Sequence, residues 1–218
     1  VNYMKAWGAI LAAGLLSTGA AQANLIQNGD FEAPQLSGTQ WAVYGSIPGW
    51  NTTDGSGIEI QRNTVVTAQS GNQYVELDSH NATDTNSTMS QAITTLTGQI
   101  YTLSFWYQPR TNNGGNDNGI NVLWDTFGGD MLSFNASNEV LNLENYISGQ
   151  SNGWTNFTMD MMATANSMAL SFQADGNDNT LGGFVDNVSL IAKVPEPGSL
   201  ALLGLGLAAL GFRARKAS

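Results

Sequence analysis

The chain has 218 residues, of which 17 are acidic, seven are basic and none is cysteine. Its formal net charge of −10 excludes a partner held through a phosphate backbone, so we expect no nucleic acid. The absence of cysteine excludes disulfides, thiol nucleophiles and thiolate metal sites.

The first 23 residues have the pattern of a secretory signal peptide. Lys5 precedes an apolar run over residues 6–16, and Ala21 and Ala23 form a small-x-small cleavage site. We expect Met4 to be the first translated residue. The pattern predicts that the rest of the chain is exported.

Residues 24–193 form the predicted folded domain. A chain of this length can bury roughly 70% of its unfolded surface around one core, without a second domain. The domain holds 16 of the acidic residues but only three basic ones, Arg62, Arg110 and Lys193, which gives it a net charge of −13. A field of that sign favours divalent cations.

Short apolar or alternating runs recur through this domain, separated by Gly, Asn, Asp and Pro. None of them shows sustained helical periodicity. They predict an all-β protein, a jelly-roll β-sandwich of about ten strands. The predicted strands are residues 24–27, 40–44, 57–61, 73–78, 88–93, 100–108, 120–125, 154–162, 168–174 and 183–191.

Alternation within the runs assigns side chains to faces. Ile58 and Ile60 are expected to point inward and Glu59 outward. Trp106 is the unusual residue of its run, a large aromatic on a face of hydroxyls and amides. The opposite face of that run is the predicted core face, with Tyr101, Leu103, Phe105 and Tyr107.

Residues 194–218 form a separate terminal segment. Two prolines of a Pro-Glu-Pro motif fix φ and end the domain. Residues 198–212 are 15 uncharged residues, which as a helix span roughly 22 Å, short of the roughly 30 Å hydrocarbon core. A basic end follows, which favours the cytoplasmic side of a membrane. The motif and the basic end comprise Pro195, Glu196, Pro197, Arg213, Arg215 and Lys216.

This order of features resembles the PEP-CTERM sorting signal of Gram-negative bacteria. The resemblance implies a short transmembrane helix that anchors the protein transiently in the inner membrane. It also implies processing by exosortase, a membrane cysteine protease, and delivery to the cell surface or the extracellular matrix. A plain tail anchor and a buried helix are the alternatives.

The domain carries a second resemblance in its opening segment, 24–32, and its closing segment, 183–190. Shorter motifs at 47–50, 71–78, 101–105 and 153–155 complete it. Together they resemble the galactose-binding-like jelly rolls, which include carbohydrate-binding modules of xylanases and a related cell-wall domain of unknown function from plants and bacteria.

In many such modules a calcium ion ties the first strand to the last. The resemblance carries this role to Glu32 and Asp186, with Asp30 and Asn187 as weaker candidates. Ca²⁺ accepts six to eight oxygen ligands, including carboxylates and carbonyls of separate segments. The alternatives are a solvated loop carboxylate for Glu32 and an acceptor of backbone N–H bonds for Asp186.

A third pattern has the spacing of an EF-hand loop. Asp175, Asn177, Asn179 and Asp186 stand at the ligand offsets, but Thr180 occupies the position that requires glycine. The flanking segments also read as strands. We therefore expect no EF-hand here, although the loop could supply a carbonyl to the calcium site.

Sugar binding requires an exposed aromatic ring with amides or carboxylates beside it. Trp106 and Trp124 could equally be core residues whose indole N–H reaches a carbonyl. Arg110 is more readily explained as an internal partner of Glu76 or Asp78. The candidate ligand-binding residues are Trp106, Trp124, Glu59, Glu76, Asp78, Arg110 and Asn113.

We expect no enzyme activity. His80 is the only histidine and the chain has no cysteine, so the sequence offers little support for a nucleophilic triad or dyad. Glu76 and Asp78, about 7 Å apart on one strand face, leave a glycosidase as a third alternative.

The sequence thus predicts a secreted, non-catalytic surface protein that binds polysaccharide or exopolysaccharide through a calcium-stapled jelly roll. The alternative is a structural component of a biofilm matrix, or an adhesion component, with no defined sugar pocket.

Overall fold

The computed structural model describes residues 22–37, 40–80, 85–110, 118–126, 139–142 and 153–193, with the backbone alone for 139–142. These segments contain twelve β-strands and no helix. Accordingly, no helix in the described segments is long and apolar enough to cross a membrane. Most of the predicted signal peptide, Asn113 and the sorting segment 194–218 lie outside the described residues.

The strands form two antiparallel six-stranded sheets that pack face to face. In chain order they are β1 (Trp41–Tyr44), β2 (Ser46–Ile47), β3 (Trp50–Asp54), β4 (Ile58–Gln61), β5 (Tyr74–Glu76), β6 (Thr88–Thr94), β7 (Ile100–Gln108), β8 (Gly119–Thr126), β9 (Glu139–Asn142), β10 (Thr155–Met162), β11 (Ser167–Asp175) and β12 (Phe184–Ala192). Sheet A has the order β1-β4-β5-β12-β7-β10, and sheet B the order β2-β3-β6-β11-β8-β9. The predicted all-β jelly-roll sandwich is confirmed.

The core lies between the two sheets and follows the predicted alternation. On β7, the four predicted side chains at 101, 103, 105 and 107 are all buried. Ile58 and Ile60 of β4 are fully buried as well. From sheet B, Trp50 packs against Phe172 with 6.0 Å between ring centroids.

Three strands were not predicted, and one predicted strand is absent. β2 and β3 form a hairpin around Gly49, whose φ of 83° suits glycine. β3 is mostly polar and β9 is short, so neither run stands out by hydrophobicity. Residues 24–27 form no strand, although the Leu25 N–H donates to the Leu190 carbonyl at 2.9 Å.

A loop of residues 62–73, here called the strap, joins β4 to β5 and crosses the outer face of sheet A. The Tyr74 hydroxyl accepts the N–H groups of Val65 and Val66 at 3.1 and 3.2 Å. The Trp154 indole N–H donates to the Thr67 carbonyl at 2.8 Å. Because the strap covers this face, Tyr74 and Asp186 are fully buried although they point away from the core.

Candidate functional site

The opening and closing segments lie side by side. The Val188 N–H donates to the Gly29 carbonyl at 2.8 Å, and a Cβ added at Gly29 would stand 2.0 Å from the Val188 carbonyl oxygen. The side-chain oxygen of Asn24 accepts the Leu190 N–H at 2.9 Å. Only glycine permits this approach, which brings the predicted metal ligands of both segments to one end of the strap.

Glu32 and Asp186 hold consecutive parts of the strap. Asp186 Oδ2 accepts the N–H groups of Gln69 and Ser70 at 2.9 and 2.8 Å. One residue further along the strap, Glu32 Oε1 accepts the N–H groups of Asn72 at 2.6 Å and Gln73 at 2.7 Å. Both carboxylates therefore accept backbone N–H bonds, which is the alternative stated above for Asp186 alone.

Burial raises the pKa of Asp186 to about 7, and the nearby charge of Glu32 acts in the same direction. The three backbone N–H groups that Asp186 accepts lower the pKa, but they do not offset burial. Among the described residues the ion pairs are Arg110–Glu76 and Lys193–Asp160, so Asp186 has no basic side chain to balance its charge. A bound cation would supply that balance.

The two weaker metal candidates line a cavity beside this pair. Asp30, Asn187, Asn28 and Ser70 contribute polar groups to its wall, and its volume is ≈ 330 Å³. Asn28 and Asn187 adopt left-handed φ angles of 53° and 50°. In the described part of the chain, no three His, Asp or Glu side chains meet as a metal cluster. The donors present are carboxylate, amide and backbone oxygens, which are the ligands that Ca²⁺ prefers.

The loop with EF-hand spacing joins two strands, β11 and β12, as expected from its flanks. Thr180, at the glycine position, has a φ of 69°. Asp186 belongs to β12 and binds the strap rather than this loop. The predicted strand flanks of this loop are confirmed.

Four of the predicted sugar-binding residues form a buried polar cluster instead. Glu59, Glu76, Asp78 and Arg110 are each at most 6% exposed. Arg110 pairs with Glu76, which also accepts the Gly182 N–H at 2.8 Å. The side-chain amide of Gln61 donates to both Glu59 and Glu76. The predicted internal pairing of Arg110 is confirmed. Glu59 points away from the core as predicted, but this cluster buries it.

Burial raises the pKa of both Glu59 and Glu76, although Gln61 and the His80 N–H lower the first and Arg110 lowers the second. One arginine faces two carboxylates here, so the cluster favours holding one proton. Asp78 accepts the Leu181 N–H at 2.8 Å and the Thr85 hydroxyl. The carboxylate oxygens of this cluster already accept hydrogen bonds from neighbouring protein groups, so they do not need a glycan to satisfy them.

The two predicted tryptophans differ in their surroundings. Trp124 is 7% exposed, and its indole N–H donates to the Met162 carbonyl at 3.0 Å, so it is a core residue. Trp106 is half-buried on the outer face of sheet A, where Asn156 and Asp186 are its cross-strand neighbours. Of these two tryptophans, Trp106 is the one that presents ring surface of the kind that sugar stacking requires.

The sequence interpretation missed the outer face of sheet B. The register places Thr88, Gln173 and Asn121 in one row across β6, β11 and β8. All three point away from the core, because their neighbours Met89 and Phe172 point into it. The sequence signal for this face was the presence of polar residues at alternate positions of two predicted strands. The strand register is needed to show that Thr88, Gln173 and Asn121 lie side by side.

Two buried atoms of this row have no hydrogen-bond partner among the described residues. They are Thr88 Oγ1 and Asn121 Oδ1. Thr88 is 1% exposed. The adjacent row differs, because Ser90 Oγ lies 3.2 Å from Thr53 Oγ1 and 2.6 Å from Ser171 Oγ. One row of this face is therefore satisfied by the protein and the next is not.

Residues 24–191 match a family model described as a protein of unknown function, DUF642, and residues 193–216 match the PEP-CTERM protein-sorting motif. The first match covers nearly the whole sandwich. The second confirms the predicted sorting signal and indicates export and sorting to the cell envelope or surface.

Two curated relatives are multifunctional-autoprocessing repeats-in-toxin proteins. The chain is 31% identical over 173 residues to that of Vibrio vulnificus and 28% identical over 173 residues to that of Vibrio cholerae. Each alignment covers 76% of this chain and 3% of the toxin, so the chain spans a very small part of these relatives.

Among solved structures, the Stig cyclase Fisc of Fischerella sp. TAU is similar with a TM-score of 0.55 and 17% identity, over 79% of this chain and 98% of that one. The carbohydrate-binding module TmCBM61, solved with β-1,4-galactotriose, has a TM-score of 0.45 and 19% identity, over 78% of this chain and 99% of that one. At these identities the likeness to Fisc concerns the fold alone, and the weaker likeness to the module carries no argument about ligands.

Proposed function

Since the chain belongs to the DUF642 family and ends in a PEP-CTERM sorting motif, we propose that it is an exported, surface-sorted, non-catalytic protein that binds polysaccharide. The proposed binding face is the outer face of sheet B, at the row Thr88, Gln173 and Asn121. The partners are then an exopolysaccharide outside the cell and exosortase during processing.

The unsatisfied row is the observation that carries this proposal. A buried polar atom without a hydrogen bond costs about 1–3 kcal/mol. Thr88 Oγ1 and Asn121 Oδ1 both accept hydrogen bonds, and a sugar hydroxyl can donate to either. A ligand rich in hydroxyls would therefore recover free energy that the folded domain has lost.

The spacing of the row suits an extended glycan. Thr88 and Asn121 are two strands apart, which is about 10 Å at the usual strand separation. Gln173 lies between them on β11, is half-buried, and makes no side-chain hydrogen bond within the described part of the chain. Its amide can donate and accept at once, so the three side chains offer polar contacts along a length of about two sugar rings.

Trp106 remains the candidate for aromatic stacking, on the opposite face of the sandwich. Its half-buried ring and its exposed neighbour Asn156 support this contact. The two buried acceptors of the row that have no partner among the described residues, Thr88 Oγ1 and Asn121 Oδ1, lie on sheet B, however, and we therefore assign the main glycan contact to that sheet.

Calcium is the proposed structural cofactor, held by Glu32 and Asp186 with Asp30 and Asn187 beside them. The support is the buried, unbalanced charge of Asp186 next to a second carboxylate. The ion would supply a positive charge that fixes the strap against the outer face of sheet A.

Glycan-array binding of the exported protein tests the proposal, with variants of the row compared with variants of the Trp106 face. Loss of binding in the row variants alone supports it. A flat array with an intact fold would favour a structural matrix component without a sugar site.

A further inference from the structure

One end of the sandwich exposes a cluster of large apolar side chains. Leu96 is 67% exposed, Met162 57%, Ile100 42% and Ile191 37%, and we call these four residues the apolar end. They are four of the six large hydrophobic residues that the described part of the chain leaves exposed. Single exposed apolar residues are ordinary, but a cluster marks a contact surface.

The register shows that three of these side chains are neighbours, and the fourth, Leu96, belongs to the turn that precedes β7. Met162 and Ile100 are direct cross-strand partners on β10 and β7. Ile191 pairs with Thr102, one position further along the same face, and so lies diagonally across from Ile100. Leu96 stands on the turn before β7, where its carbonyl accepts the Gln99 N–H at 3.0 Å.

The chain leaves the sandwich at this same end. The Lys193 N–H donates to the Ile100 carbonyl at 2.8 Å, and the Gln99 side-chain amide donates to the Lys193 carbonyl at 2.7 Å. The Lys193 ammonium pairs with Asp160, so the charges nearest the exit balance each other. An apolar surface could approach this end without leaving either charge unpaired.

The length of the following segment limits how far the sandwich can stand from whatever holds the tail. Four residues, 194–197, separate Lys193 from the uncharged run of residues 198–212. Four extended residues span at most about 14 Å. A bilayer that receives the uncharged run is therefore within reach of the apolar end.

We propose that the apolar end docks on the lipid bilayer while the tail is anchored, so that the sandwich stands end-on against the membrane. This inference rests on the sorting part of the proposed function and is independent of the glycan site. Asp54 pairs with Thr88 where β6 begins, whereas Leu96 follows the end of β6. The opposite end of the sandwich, marked by Asp54, then faces away from the lipid.

The absence of native cysteine allows a direct test. The full chain is reconstituted into vesicles of phosphatidylethanolamine and phosphatidylglycerol, as single-cysteine variants with a fluorescent label. Leu96→Cys and Met162→Cys report on the apolar end, Asp54→Cys is the matched control at the opposite end, and Leu207→Cys reports on the tail. Quenching is measured with nitroxide-labelled lipid and with aqueous iodide.

The expected result is that lipid nitroxide removes most of the emission at Leu96→Cys and Met162→Cys while iodide does not, with the reverse at Asp54→Cys. Iodide quenching at the apolar end, with the Leu207→Cys label in lipid, would overturn the proposal. Protection from both quenchers would also overturn it, since a protein surface would then cover this end. A Leu207→Cys label open to iodide would refute tail anchoring and this inference together, and would leave the glycan site unaffected.

Discussion

Asp186 and Glu32 accept backbone hydrogen bonds from neighbouring parts of the strap. Asp186 binds the N–H groups of Gln69 and Ser70, and Glu32 binds those of Asn72 and Gln73. The first carboxylate comes from the closing segment of the domain and the second from the opening segment. The strap is therefore the element that connects the opening segment with the closing segment. Its order depends on how the charges of the two carboxylates are balanced.

The pKa of Asp186 makes the stability of the domain depend on pH. Its pKa rises from 3.8 to about 7 on folding, so its contribution is fully present below about pH 4 and is lost as the pH rises through about 7. In metal-free buffer we expect wild type to lose about 2–4 kcal/mol of unfolding free energy over this range relative to Asp186→Asn. Urea unfolding at a series of pH values measures the difference. Parallel curves for the two proteins would show that Asp186 is not responsible.

Calcium should change this behaviour, because a cation favours the ionised form of Asp186. We expect EDTA to lower the Tm by several degrees, since an ion at 100 times its Kd contributes about 2.7 kcal/mol and each kcal/mol is worth about 2–4 °C in a domain of this size. Glu32→Gln and Asp186→Asn should abolish the shift, whereas Asp160→Asn, an exposed carboxylate on the same sheet, should keep it. An equal Tm in EDTA and in calcium would remove the site.

Breaking the Arg110–Glu76 pair should destabilise the domain strongly. Glu76→Gln or Arg110→Met leaves a charged group buried without its partner, which typically costs about 3–5 kcal/mol. This cost is a large fraction of the total unfolding free energy of a domain. The double variant should cost less than the sum of the two single ones. Chemical denaturation measures all three, and additive costs would contradict the coupling inferred from the contact. The exposed pair Lys193–Asp160 is the matched control, and its disruption should leave the Tm almost unchanged.

The two tryptophans should respond differently to truncation. Trp124→Ala should cost about 3–5 kcal/mol because it empties a core position and leaves the Met162 carbonyl without its donor. Trp106→Ala should cost about 1 kcal/mol or less, since part of its ring is already in solvent. Similar costs measured by urea unfolding would mean that Trp106 is as much a core residue as Trp124.

Much of the fold was predictable because it depends on alternation within single strands. The positions of β7 and β4, and the core faces of both, follow from apolar residues at every second position. A mostly polar strand cannot be predicted from alternating apolar residues. β3 carries only one large apolar side chain, Trp50, and is defined by its pairing with β6.

The candidate sites were less predictable because they depend on contacts between distant segments. Glu59 alternates as an outward residue should, yet neighbouring groups shield it, and strand periodicity contains no information about what covers a face. Thr88 and Asn121 are ordinary polar residues in the sequence. Their importance comes from the register of three strands and from the absence of partners for their buried atoms.

The most direct measurement is polysaccharide affinity of Thr88→Val, compared with Thr158→Val on the exposed face of sheet A. Thr88→Val replaces an unsatisfied hydroxyl by a methyl of the same shape, so the variant should be at least as stable as wild type. Calorimetric titration with a glycan identified on the array should show an affinity loss of about tenfold or more for Thr88→Val, corresponding to one lost hydrogen bond, and none for Thr158→Val. Unchanged affinity in Thr88→Val, with binding lost in Trp106→Ala, would contradict the account and place the glycan on sheet A.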